Sequence, residues 1–285
     1  MDYKTSPDID VVCSLLDISP SRLAEYLGVP RSTVLRIQSG SVRPGELFLE
    51  RFYSFAYSNP IRHIDLNALK IQFAQDAHPN LLFHGSRSFL DGEIDLAHSR
   101  EGLDMGGGFY LGESYVQASS YIYPYKKSCV YLADGSTLSG LETYEYGVDL
   151  EWMITVCYYR GRLSAFSESS VLKGYLAKGA GKDVLIAPIA DNNMFETMNQ
   201  FARGEITDMQ AISALSASSL GKQHVLKTEK ACHKVRLIDR LYLCEKERNE
   251  IEAKRKEAAD IAKDKAKLAI IKYRREGKYI EEILL

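Results

Sequence analysis

A chain of 285 residues that is 45% hydrophobic and 26% charged is long enough for two domains with real cores, and too apolar to be disordered. Against 38 Asp and Glu stand 36 Lys and Arg, a formal net charge of -2, so the whole chain has no attraction for phosphate backbones or anionic membranes. Any nucleic-acid contact must come from a local patch. Nowhere does an apolar run reach the length a bilayer demands, and Met1 to Ser19 carries Asp2, Asp8 and Asp10 without the apolar core of an export signal. A soluble cytoplasmic protein with no membrane partner is expected. Five cysteines (Cys13, Cys129, Cys157, Cys232 and Cys244) are odd in number, scattered and without paired metal spacing, so reduced thiols and no metal centre are expected.

The stretch "SPSRLAEYLGVPRSTVLRIQSGSVRP" predicts two short helices. Ser19 is a helix N-cap with Pro20 at the first helical position, Leu23, Ala24 and Leu27 share a face, and Gly28 ends the helix in a left-handed turn. The second helix starts between Pro30 and Ser32, buries Val34 and Ile37 and stops at Gly40, which directs Arg31, Ser32, Thr33, Arg36 and Gln38 outward. Two short helices joined by a glycine turn have the spacing of a helix-turn-helix. The pattern "LAEYLGV", then "STVLRIQSG" and Pro44, resembles the repressor-type (Xre/Cro-like) helix-turn-helix family over roughly Ile9 to Tyr57. That resemblance implies DNA binding by a dimer, with Arg31, Ser32, Thr33 and Arg36 at phosphates and base edges. From the residues alone, a helical bundle that docks a protein partner stands beside it, because Asp17, Glu25, Glu46 and Glu50 dilute the basic character.

An all-α domain is therefore expected over 1-62, and "LNALKIQFAQDAHPN" in 63-80 reads as a linker or a short helix ended by Pro79. The texture then changes to strand-like runs: "LLFHGS", "SCVYLA", "LEWMITVCYY", "DVLIAPIA" and "KQHVLKT". Helical pieces such as "ESYVQASSYIY" and "TDMQAISALSASSL" lie between them, and Trp152 and Tyr158 are expected in the core. Strands mixed irregularly with helices favour an α+β domain, here 81-243, over a doubly wound sheet, and no Walker or dinucleotide-type glycine motif is present. The segment 244-285, rich in Ala, Glu, Lys and Arg with charges spaced to pair at i,i+4, predicts a long charged helix. A solvated helix and a partner-binding tail both suit it.

Three places draw attention chemically. "LLFHGS" sets His84 at the end of an apolar strand before Gly85 and Ser86. "LDMGGGFYLGES" strings Gly106, Gly107 and Gly108 ahead of Phe109 and Tyr110, with Ser114 opening a small-residue helix. "GKQHVLKTEKA" places Gln223 on a late strand. A glycine run in mid-domain marks a sharp turn or the wall of a binding cleft.

That order resembles the His-Tyr-Glu class of ADP-ribosyltransferases, the diphtheria-toxin and poly-ADP-ribose-polymerase side of the superfamily. More closely, "FHGS", "SREGLDMGGGFYLGES", "EWMITVCYYRGR", "DVLIAPIADNNMF", "FARGEIT", "ISAL" and "KQHVLKTEKA" resemble an uncharacterised prokaryotic ADP-ribosyltransferase-like family from about Leu81 to Leu237. Members of that family often lie beside small partner genes. The resemblance implies a split β-sheet domain using NAD as substrate and a macromolecular acceptor, protein or nucleic acid. It also implies a toxin-antitoxin or phage-defence role with an antitoxin or other protein partner. It assigns His84 to the adenosine ribose, Gly85 to the nicotinamide amide, Tyr110 to stacking on the nicotinamide ring, and Ser86, Gly108 and Ser114 to the walls of the site. Arg100 and Arg160 are assigned to the pyrophosphate. Gln223 departs from the glutamate common at its position: it keeps hydrogen bonding and loses the anion that favours an oxocarbenium, with Asp191 as a substitute source of charge. That departure leaves three readings: a mono-ADP-ribosyltransferase, an NAD glycohydrolase, or a transcriptional regulator whose degraded transferase domain senses NAD or ADP-ribose.

Overall fold

The computed structural model describes residues 3-90, 94-100, 102-190, 192-216 and 221-285. In chain order its helices and strands are α1 (Thr5–Leu16), α2 (Pro20–Leu27), α3 (Arg31–Gln38), α4 (Glu46–Tyr57), α5 (Leu66–Ala77), β1 (Leu81–Ser86), β2 (Phe109–Gly112), α6 (Tyr115–Ile122), β3 (Cys129–Asp134) and β4 (Thr143–Glu145). There follow α7 (Leu150–Tyr159), α8 (Ser170–Ala177), β5 (Val184–Pro188), α9 (Asn192–Ala202), α10 (Asp208–Ser216), β6 (Lys222–Leu226), α11 (Glu229–Lys234), β7 (Arg236–Tyr242), α12 (Glu245–Lys272) and α13 (Ile280–Leu284). The protein is thus α+β, with helices first, strands and helices mixed in the middle and a long helix near the end. No described helix is long and apolar enough to cross a membrane. All five cysteines are buried and free. The chain divides into two compact units, 1-91 with 118-136 and 236-253, and 92-117 with 137-235 and 254-285.

In the first unit, local chemistry sets the helix ends. The Ser19 hydroxyl accepts from Arg22 N at 3.2 Å, Pro20 occupies the first turn of α2, and Gly28 closes it at φ +61°, a conformation costly for any residue with a Cβ. Leu23, Ala24 and Leu27 of α2 and Val34 and Ile37 of α3 enter one core with Ile9 and Phe52. Arg31, Ser32 and Arg36 are exposed, Thr33 is half-buried, and the Gln38 amide donates to Asp10 on α1. The segment expected as a linker or short helix contains α5, capped by Asp65, whose carboxylate accepts from Ala68 N at 3.0 Å. A buried ion group ties the helices to β7: Lys70 Nζ lies 3.1 Å from Asp8 and 3.4 Å from Asp239, and Tyr53 donates to Asp8 at 2.7 Å. Burial raises the Asp8 carboxyl against the pull of Lys70.

Three strands of this unit run antiparallel, with β3 paired to β1 from Leu81↔Asp134 to Ser86↔Cys129 and to β7 with a register shift between Leu132 and Ala133. Residues Cys129 to Ala133 are buried without alternation, because both faces of β3 are covered.

In the second unit β4 lies parallel to β5, and β6 pairs antiparallel with both β5 and β2. Trp152, Met153, Ile154 and Val156 of α7, Phe201 of α9, Leu215 of α10 and Ile280 and Leu284 of α13 form its core. Here the structure corrects two sequence readings. "LEWMITVCYY", expected as a strand, is α7, opened by Asp149, which accepts from Trp152 N at 2.9 Å. The helix is apolar on nearly every side because it is buried on nearly every side, and such a run has no period that separates it from a buried strand. Trp152 is in the core as expected, whereas Tyr158 lies on the exposed side, at 39% exposure. The long helix α12 leaves Leu268 and Ile271 exposed, while the Gln210 amide caps its Ile270 carbonyl at 2.8 Å.

Asp183, just before β5, accepts from Lys230 Nζ at 2.7 Å, Thr228 Oγ1 at 2.8 Å and Glu142 N at 3.1 Å. These donors, led by Lys230, hold its carboxyl down from 3.8 to about 2. A carboxyl depressed on folding stabilises above its unfolded value and loses that contribution as pH falls through its folded one. Acid titration of thermal stability should therefore show a slope between about pH 4 and pH 2 that is reduced in Asp183→Asn. An unchanged slope would separate Asp183 from acid stability.

Candidate functional site

The residues singled out in the sequence fall in both units, and each set is described in its own. In the first, β1 carries His84, Gly85 and Ser86 in succession. His84 is half-buried opposite Tyr131 on β3, with ring centroids 6.4 Å apart. Gly85 has a packing reason to be glycine: a Cβ there would sit 2.3 Å from the Ala118 carbonyl oxygen of α6. The Ser86 hydroxyl donates to the Ser88 carbonyl at 2.6 Å, so it shapes the turn that leaves the strand. Beyond it, Leu90 N donates to the Tyr131 hydroxyl at 2.8 Å, and the buried Arg240 guanidinium lies 4.0 Å over Phe89 and 4.1 Å over Tyr3.

In the second unit the glycine run is folded and tied rather than loose. Gly106 takes φ +70° with the Tyr159 ring 2.7 Å from where a Cβ would stand, and Gly108 is pressed against Val225 and the Leu226 carbonyl at 2.6 and 2.9 Å. Gly107 alone of the three has room, its nearest neighbour being Ser99 at 3.6 Å. The Ser99 hydroxyl accepts from Gly108 N at 2.6 Å and donates to its carbonyl at 3.0 Å. Lys227 donates to the Met105 carbonyl at 2.7 Å and to that of Gly107, and burial lowers its ammonium below the usual lysine range.

Tyr110 and Gln223 meet on this framework. In the antiparallel pair Tyr110 faces Val225 and Gly112 faces Gln223, so Tyr110 and Gln223 are diagonal neighbours on one face. The Tyr110 hydroxyl donates to the Gly106 carbonyl at 2.6 Å and accepts from Met105 N at 3.1 Å, which folds the run back over its own tyrosine. Gln223 is buried and its Nε2 donates to Asp104 at 3.0 Å and to the Pro188 carbonyl at 3.2 Å.

Asp104 is a residue that sequence reasoning missed. Its carboxylate, 6% exposed, accepts from Arg160 Nε at 2.8 Å and from a second guanidinium nitrogen, and also from Ala190 N at 3.1 Å. Arg160 lies 3.6 Å over the Phe195 ring. The arginine assigned to a pyrophosphate therefore spends its charge inside the protein. Arg100 is exposed and Ser114 half-buried, and Asp191 lies outside the described residues. Ser99 and Lys227 were missed as well, although both stand in stretches that carry the resemblance, "SREGLDMGGGFYLGES" and "KQHVLKTEKA". Among the described residues, no group of three or more His, Cys, Asp or Glu is placed to hold a metal ion.

No curated protein and no solved structure shows significant similarity to the chain. A family model described as "Protein of unknown function (DUF3990)" matches residues 81–237, from the first residue of β1 into β7. That match spans more than half of the chain and takes in His84, the glycine run, Tyr110, Asp104 and Gln223, and the chain belongs to that family.

Proposed function

We propose that the protein is an NAD-dependent mono-ADP-ribosyltransferase with an amino-terminal DNA-binding region of helix-turn-helix type, acting as the toxin of a toxin-antitoxin or phage-defence system. The observation that carries the enzymatic reading is the shared face of Tyr110 and Gln223 on β2 and β6, with the glycine run closed onto the tyrosine hydroxyl. Those are two of the three positions at which the chain resembles the transferase class, and His84 on β1 supplies the third.

In this reading the C1′–N bond between ribose and nicotinamide breaks and its electron pair returns to the ring nitrogen, so nicotinamide leaves neutral. A new bond forms from C1′ to an acceptor nucleophile, whose proton passes to solvent. The roles follow the resemblance, which gives His84 the adenosine ribose, the Gly85 backbone the nicotinamide amide, Tyr110 the ring face and Gln223 a ribose hydroxyl. Water as the acceptor gives NAD hydrolysis from the same arrangement. A second reading, binding without chemistry, draws on Gln223: it is neutral, and the carboxylate it donates to, Asp104, is committed to Arg160. Without an anion beside the developing oxocarbenium, stabilisation falls by an amount on the order of a few kcal/mol.

Purified protein should release nicotinamide from NAD, and His84→Ala or Tyr110→Ala should lower that rate by on the order of a hundredfold while the fold survives. Undiminished turnover in both variants removes the site assignment. Labelled NAD offered to separate pools of protein, RNA and DNA then identifies the acceptor, with free ADP-ribose as sole product marking hydrolysis and tight binding without release marking a sensor. For the helical region, Arg31 and Arg36 are exposed on α3, and an Arg31→Ala, Arg36→Ala double variant should bind its own upstream DNA at least about tenfold more weakly. Equal binding by the two proteins would assign that surface to a protein partner.

A further inference from the structure

We propose that Asp104 is a positioning residue that sets the orientation of the Gln223 carboxamide, so that Gln223 meets its ligand through the amide oxygen, as acceptor for a sugar hydroxyl. The inference rests on the reading that this face binds the ribose of NAD, and it deepens it. Two groups lie at the amide nitrogen of Gln223, the Asp104 carboxylate at 3.0 Å and the Pro188 carbonyl at 3.2 Å. Both accept and neither donates, since Asp104 meets Arg160 as a carboxylate through two charge-assisted bonds. The nitrogen must therefore face them. Turning the amide over would lose two hydrogen bonds and set its oxygen against two others, a cost a buried site does not tolerate. With both amide hydrogens committed, the oxygen is the group's open acceptor.

Asp104 is itself held through both of its oxygens. One takes Arg160 and the other takes Ala190 N and Gln223. The next residue, Met105, donates to the Tyr110 hydroxyl, so one dipeptide places both the ring and the carboxamide. The neutral side chain at 223 follows from this. A glutamate there would bring a second carboxylate to about the same 3.0 Å from Asp104, with one guanidinium to serve two anions. Glutamine is the residue that Asp104 accommodates, rather than a glutamate that lost its charge.

Four proteins test this: wild type, Gln223→Glu, Asp104→Asn with Gln223→Glu, and Gln223→Met, each measured for melting temperature, NAD affinity and nicotinamide release. Gln223→Glu should melt below wild type and release nicotinamide at least about tenfold more slowly, a loss set by like charges in a dry site. The double variant restores one carboxylate per guanidinium and should recover part of the lost melting temperature and turnover, the Pro188 carbonyl and Ala190 N still being mismatched. Gln223→Met keeps the bulk without the oxygen and should bind NAD at least about tenfold more weakly. The proposal is overturned by a Gln223→Glu protein as stable and active as wild type, by a double variant no better than Gln223→Glu, or by full NAD affinity in Gln223→Met. Should wild type neither bind nor cleave NAD, the transferase reading fails instead, and the melting temperatures of the four proteins still report whether Asp104 and Gln223 are coupled.

Discussion

Asp104 places a carboxylate at 6% exposure, and the second unit is arranged around answering it. Burying a charge is costly unless it is paired and hydrogen-bonded, and removing one partner of such a pair costs more than the pair contributes. Arg160 at the carboxyl end of α7, Ala190 N after β5 and Gln223 on β6 all converge on this one side chain. Three elements far apart in the chain are thereby fixed to the loop that leads into the glycine run. The stacking of Arg160 on Phe195 shields the cation from the other side and brings α9 into the same group.

The glycine run is then closed by what surrounds it. Its carbonyls accept from Tyr110, Ser99 and Lys227, so a backbone bare of side chains is nevertheless held at several points. Two of the glycines are demanded by geometry, Gly106 by its left-handed φ and the Tyr159 ring, Gly108 by the close approach of β6. A loop held in this way has little entropy left to lose, which is what the proposed NAD site would ask of its wall.

The first unit solves the same electrostatic problem with different residues. Lys70 sits between Asp8 and Asp239, and Tyr53 donates to Asp8, so α1, α4, α5 and β7 share one buried ion group. Nearby, Arg240 is held between the rings of Tyr3 and Phe89, and Phe89 lies just beyond the His84–Gly85–Ser86 strand. The segment after β1 is thus held by aromatic packing and by the Tyr131 hydroxyl, rather than by a further strand pairing of its own.

Much of the local structure was legible in the chain, because its causes are local. The Ser19 cap, the Gly28 turn, the burial of Val34 and Ile37, the strand character of "LLFHGS" and "SCVYLA" and the long charged helix follow from neighbours within a turn or two. His84, Tyr110 and Gln223 were legible as candidates by their motifs and order. Their partners were not. Asp104 meets Arg160 and Gln223 across 56 and 119 positions, and no pattern in the sequence encodes which of many acidic and basic residues will be drawn inside. The same reason hid α7: a run buried on all sides carries no periodicity, and only its packing in the core, with Asp149 at its start, makes it a helix. Caps, turns, apolar runs and the order of the motifs were written in the chain, since these depend on adjacent residues. Which charge pairs with which, and which way the Gln223 amide faces, came from folding alone, because those depend on what long-range packing removes from water.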